Sequence, residues 1–237
     1  RHPRIVCMGF AGVLGLVPYV HVPSTGIPLL LVLAVGIWVA LLFFPDLHFQ
    51  AGWPEIWLLL LAAVALLSVV ATGVSKGSLI EYVAWLAATA VVIPIRHLPE
   101  HARQWCIGAF VTSCTVAALV GIALVRFDPR GTFLSRLTFL GYSVVGDNVQ
   151  YVPGRESNVV RLTGTFVEPN IAGLVLAAGL FVAISSLTGI RRAIPAGIIG
   201  LGLLLTLSRA ALGSVVVAAL VLIVFSGGKR RWALLGT

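Results

Sequence analysis

Residues 104–125 read QWCIGAFVTSCTVAALVGIALV, a run of 22 residues without Asp, Glu, Lys or Arg. At about 1.5 Å of rise per residue, a helix of this length covers ~33 Å, enough to cross a hydrocarbon core of about 30 Å. Seven more apolar runs lie on either side of it, at roughly 5–22, 27–44, 56–74, 79–95, 170–187, 193–207 and 210–225. Lipid supplies no water to satisfy peptide groups, so all eight are expected to be helices. Runs this long are not strands of a membrane β-barrel. Pro23, Pro28, Pro45, Pro54, Pro99 and Pro195 fall at or near run ends, as helix breakers should, and Pro18 is expected to kink the first run.

The composition points the same way. Of 237 residues, 59% are hydrophobic and only 10% are charged, against about 25% charged in a typical soluble domain. The mean hydropathy is +1.06. One soluble core of this size cannot hide so much apolar surface, and disorder is excluded by the same numbers. The expected fold is therefore all-α: a polytopic transmembrane bundle of about eight helices, a single domain over 1–237. The net charge is +8. Much of the basic excess sits in short loops between apolar runs, where it sets orientation, so nucleic acid is not an expected partner. Cys7, Cys106 and Cys114 all fall in apolar runs and read as small packing residues, with neither a disulfide framework nor a metal site expected. The chain starts at Arg1 and ends in what looks like the start of another apolar run, so it is expected to be a fragment of a longer protein.

Lys and Arg decide the orientation. With the N-terminus in the cytoplasm, inside segments carry Arg1, Arg4, Arg96, Arg103, Arg191, Arg192, Lys229, Arg230 and Arg231, and short outside loops carry only Lys76 and Arg209. Nine against two places the N-terminus inside and segment 126–169 on the extracytoplasmic face. Residues 133–145 are rich in β-branched and aromatic types, Gly146-Asp147-Asn148 is a turn signal, and 149–152 resume the pattern. Either a small hairpin on the membrane surface or an ordinary loop fits.

Two motifs carry the chemistry. Arg161-Leu162-Thr163-Gly164-Thr165-Phe166-Val167-Glu168-Pro169-Asn170 leads into the sixth run, and Leu205-Thr206-Leu207-Ser208-Arg209-Ala210 into the eighth. Both helices are expected to start at the outer face, presenting free N–H groups and the positive end of the dipole. Asn170 and Ser208 are expected N-caps. Gly164 permits a turn and Pro169 fixes the approach to the helix. A helix start with an arginine suits phosphate oxygens, and two on one face suggest a diphosphate in the outer leaflet. The 17 residues from 191 to 207 reach about 26 Å, so Arg209 is expected slightly below the interface, either lining a polar cavity or snorkelling from a tight turn.

The pattern Arg-x-x-Gly-x-Phe-x-x-Pro-Asn, followed 48 positions after its arginine by Ser-Arg and small residues, resembles the O-antigen ligase and polymerase family of bacterial membrane glycosyltransferases. The resemblance covers about residues 155–225; the N-terminal part is similar only in character. It implies a glycan donor on undecaprenyl diphosphate, engaged by Arg161 and Arg209, an acceptor hydroxyl on a glycan or lipid, no metal or other cofactor, and residence in the bacterial cytoplasmic membrane with the active face extracytoplasmic. The chain departs from the family at two points. Ligases of this type use a histidine in a large exterior loop after a later helix. Here the histidines are His2, His21, His48, His97 and His101, and only His21 is expected outside. Glu168 before Pro-Asn is the other departure. It is either a general base for the acceptor hydroxyl or, the preferred reading, a carboxylate settled by the helix dipole and a nearby arginine. A membrane transporter and a non-catalytic assembly subunit are the alternative functions.

Overall fold

The computed structural model describes residues 2–17, 20, 22, 27–42, 52–71, 73, 76–129, 132–133, 135–137, 150–151, 160–166 and 168–225. Among them the chain is all-α apart from one two-residue strand pair. The helices are α1 His2–Leu16, α2 Leu29–Leu42, α3 Trp53–Ala71, α4 Lys76–Ala90, α5 Val92–His97, α6 Glu100–Phe127, α7 Pro169–Ser186, α8 Ile190–Leu205 and α9 Arg209–Phe225. The strands are β1 Gln150–Tyr151 and β2 Val160–Arg161.

The helices follow the apolar runs, with three differences that trace to proline. The first run ends early, at Leu16, because the residue before Pro18 is disfavoured in the helical region. The run 79–95 becomes two helices. The ring of Pro94 occupies the place of the hydrogen bond to Ala90, and α4 ends at Ala90. Pro195 lies inside α8, in its second turn, because that helix starts at Ile190 rather than 193. Two helices, α6 and α7, are long and apolar enough to cross a membrane.

The chain groups into two compact units, one from Arg1–Leu14 and Pro18–Phe110, the other from Gly15–Val17, Val111–Thr138 and Tyr142–Thr237. In the first, Cys7, Phe10 and Ala11 of α1 form one face at helical spacing. They join Ala34 and Ile37 of α2, Val91, Leu98, and Ala102 and Cys106 of α6 in a single core. Tyr82 of α4 donates its hydroxyl to the carbonyl of Ala62, a buried position on α3, at 3.1 Å. At one end of this unit Glu55, in the first turn of α3, accepts from Nη1 of Arg96 through both carboxylate oxygens at 2.6 Å and from the Gly52 amide at 2.8 Å. The start of α3 and the end of α5 therefore lie together.

In the second unit, small residues set the helix spacing. A methyl group at Gly179 of α7 would stand 2.8 Å from Sγ of Cys114 on α6, and one at Gly202 of α8 would stand 2.9 Å from Cβ of Ala118. At Gly173 it would stand 2.6 Å from Cβ of Ala211 on α9. Cys7, Cys106 and Cys114 are all buried free thiols, in keeping with a packing role.

The segment after α6 was expected as either a hairpin or a loop. Residues 135–137 form a 3-10 turn. Asp128 imposes it: its carboxylate accepts from the Thr132 amide and hydroxyl at 3.0 and 2.6 Å and from the Phe133 amide at 2.6 Å. Partial burial would raise this carboxyl's pKa, but those hydrogen bonds hold it below the usual value. The described strand pair joins β1 to β2, antiparallel, with Gln150 opposite Arg161 and Tyr151 opposite Val160. The expected partner stretch 139–145 and the turn at 146–148 lie outside the described residues.

Candidate functional site

The two sequence motifs meet in the second unit, at the end where α6 and α8 finish and α7 and α9 begin. Leu162 anchors the first motif. Its side chain is fully buried against Gly121 of α6, where a methyl group would stand 2.8 Å from its Cδ2. Two residues on, Gly164 sits in the left-handed region at φ +54°, with its Cβ direction 3.2 Å from the Cα of Gly121. Only glycine meets both conditions, so Gly164 shapes the loop as expected. Residues Gly164–Phe166 then make one 3-10 turn into α7.

The loop also closes the end of α8, whose last carbonyls lack intrahelical donors. The Leu162 amide donates to the Leu205 carbonyl at 2.9 Å. Arg161 donates Nε–H to the Thr206 carbonyl at 3.0 Å. The expectation gave Arg161 to the start of α7. The structure instead places its guanidinium between the end of α8 and the start of α7. A cation beside exposed helix carbonyls is favoured by the dipole.

Asn170 links the motifs, in a role other than the expected one. The cap residue of α7 is Glu168, with Pro169 in the first turn, and Glu168 makes no side-chain cap hydrogen bond. Proline suits this first helical position because its missing N–H would have had no partner there, so the cap falls two residues earlier than expected. Freed from capping, Asn170 uses Oδ1 to accept from Nη2 of Arg161 at 3.2 Å and from Oγ of Ser208 at 3.1 Å. Its Nδ2 donates to Oε1 of Glu168 at 3.4 Å. One amide oxygen has two lone pairs, so a single orientation of Asn170 satisfies all three contacts.

Ser208 does cap α9, where its Oγ accepts from the Ala211 amide at 3.3 Å. It follows Leu207, a non-glycine residue at φ +50°. Such a conformation costs about 1–2 kcal/mol. Thr206, fully buried, braces this turn through Oγ1, which donates to the Leu203 carbonyl at 2.7 Å and accepts from the Ser208 amide at 3.3 Å. Thr206 was not singled out from the sequence, although it lies within the quoted motif. A threonine at the end of an apolar run, just before Ser-Arg, was the available signal.

Among the described residues the buried polar side chains are Glu55, Thr163, Thr165, Thr206 and Ser208, so all but one belong to this site. Its cations are less engaged. Arg161 is partly exposed and spends two of its five N–H groups on described acceptors, both uncharged. Arg209 is exposed at the first position of α9, and its side chain makes no hydrogen bond or ion pair with another described residue. Glu168 forms no ion pair with either arginine among the described residues; its described side-chain partner is Asn170. The preferred expectation of an arginine-paired Glu168 thus gives way to an amide contact. No three His, Cys, Asp or Glu side chains among the described residues converge to hold a metal ion. The chain matches no protein-family model, no curated protein and no solved structure.

Proposed function

We propose that the chain belongs to a multi-pass glycosyltransferase of the bacterial cytoplasmic membrane, of the O-antigen ligase and polymerase type. It would move a glycan from undecaprenyl diphosphate to an acceptor hydroxyl at the extracytoplasmic face. The observation that supports this most is the joining of the two motifs through Asn170. It brings together the N-termini of α7 and α9, the uncommitted edge of Arg161 and the start of α9 that carries Arg209. Preorganised donors and cations of this kind suit the charge that develops on a diphosphate leaving group. In the reaction the acceptor oxygen bonds to the anomeric carbon, the bond to the diphosphate oxygen breaks, and the electron pair departs with undecaprenyl diphosphate. The acceptor loses its proton to a base, for which Glu168 is the candidate at this site.

Membrane residence has its own support. Leu59, Val64, Leu67 and Val70 of α3 are exposed, as are Val216, Val217, Leu220 and Val221 of α9. Contiguous apolar surface on this scale suits lipid better than water. Single cysteines at positions 161 and 191 test the orientation. Impermeant thiol reagent added outside should label the first and spare the second, and equal labelling would sink the topology. The function itself is tested by assaying glycan transfer from an undecaprenyl diphosphate donor with the full-length protein, with and without EDTA. Activity that survives EDTA and requires Arg161 and Arg209 is expected, and transfer at background level would remove the reading.

A further inference from the structure

We propose that Asn170 keeps the charge of Arg161 available to an anionic ligand by standing between that arginine and Glu168. The inference rests on the diphosphate reading above and adds a control element to the same site. Oδ1 of Asn170 faces the two donors, Nη2 of Arg161 at 3.2 Å and Oγ of Ser208 at 3.1 Å, while Nδ2 faces the carboxylate of Glu168 at 3.4 Å. The amide thus separates a cation from an anion that are seven residues apart in a short loop. Only a side chain with an acceptor on one branch and a donor on the other can satisfy both sides. A carboxylate in its place would accept equally well from Arg161 and Ser208. It would also cancel the arginine's charge and repel both Glu168 and an incoming phosphate. A side chain without polar atoms would leave Glu168 free to pair with Arg161 and compete with the ligand. Asn170 is therefore a positioning residue, and the neutrality of its amide is the property that matters.

The experiment measures binding of undecaprenyl diphosphate, with undecaprenol as control, to the full-length protein in dodecyl maltoside micelles, alongside melting temperature. Wild type should prefer the diphosphate. Asn170→Asp should still fold, since both of its hydrogen-bond donors keep an acceptor, yet bind diphosphate about tenfold more weakly or worse, the loss expected when a charge-assisted contact is cancelled. Asn170→Ala should also weaken binding, and adding Glu168→Gln to it should restore much of the loss. A merely structural asparagine predicts the opposite: Asn170→Asp binding as wild type, and no rescue by Glu168→Gln. Either result overturns the proposal while leaving the diphosphate reading intact. Should Asn170→Asp fail to fold, the rescue pair alone decides. Wild type that does not distinguish diphosphate from undecaprenol overturns both.

Discussion

Arg96 in the first unit and Arg161 in the second are both partly exposed arginines next to the end of a helix. Arg96 meets a carboxylate: Glu55 takes Nη1 with both oxygens, and the Gly52 amide completes the cluster. Arg161 meets a backbone carbonyl and an amide oxygen, neither charged, and Glu168 is held on the far side of that amide. The first arrangement is electrically closed and joins α3 to the end of α5. In the second, the arginine is fixed in place and no carboxylate among the described residues cancels its charge. An arginine is thus better judged by what neutralises it than by how exposed it is. By that measure Arg161 is the arginine that fits the proposed binding role, and Arg96 is tied into structure.

The comparison breaks most sharply in an activity assay. Arg161→Ala and Arg209→Ala should each reduce glycan transfer by the full-length protein by about a hundredfold or more, the scale of losing a preorganised transition-state contact. Arg→Lys should rescue poorly, because a point charge does not reproduce the guanidinium fork. Arg96→Ala should lower thermal stability and leave the turnover of the folded fraction near wild type. If Arg96→Ala is as inactive as Arg161→Ala while still folded, the distinction fails.

A second test acts on packing. Gly173→Val would drive a branched side chain into Ala211, where even a methyl group stands 2.6 Å away. Overpacking of this kind costs about 1–3 kcal/mol, and here it would push α9, with Ser208 and Arg209, away from Asn170. Transfer should fall along with melting temperature, and Ala211→Gly in the same chain should recover part of both. Recovery of stability without activity would separate the helix spacing from the site.

A smaller effect belongs to the closed pair. The hydrogen bond from Arg96 holds the Glu55 carboxyl below its usual value of 4.5, against the opposing effect of burial. Because the carboxyl titrates lower in the folded chain than in the unfolded one, its stabilisation is complete above pH 4.5 and is lost as pH falls through the lowered native value. Glu55→Gln should flatten that acid limb in a plot of melting temperature against pH. An unaltered limb in Glu55→Gln would show that Arg96 is not closed in solution. The smallest change expected is in Leu207→Gly. Relief of the left-handed conformation outweighs the entropy of a new glycine, so the protein should gain up to about 1 kcal/mol in a denaturation curve. A loss of stability there would mean that the turn before Ser208 is not strained.

Much of this was legible in the sequence and some was not, for identifiable reasons. Apolar runs mark helices because burial pattern and helix period are local, and each described helix lies on its run within a few residues. The split at Pro94 was missed because the run was read for hydropathy alone, and the steric conflict with Ala90 interrupts no apolar pattern. Capping at Ser208 was legible, since a serine two residues before a run of small residues states its own geometry. Asn170 looked equally like a cap, but Pro169 takes the first helical position and frees the amide for longer-range contacts. The pairing of β1 with β2 and the bond between Arg161 and Thr206 depend on tertiary approach. No spacing rule connects residues 45 positions apart.

That separation also sets an order of assembly during synthesis. The Thr206 carbonyl that receives Arg161 is made 45 residues after it. At about 5–20 residues per second, the arginine waits roughly 2–9 s for its partner. Over that interval the loop after β2 has been synthesised but has no α8 end to close, and Asn170 has no Ser208 to accept from. A nascent chain arrested before residue 206 should therefore carry an Arg161 more open to chemical modification than one arrested well beyond α9. The site becomes a site only when the ribosome has nearly finished this stretch of chain.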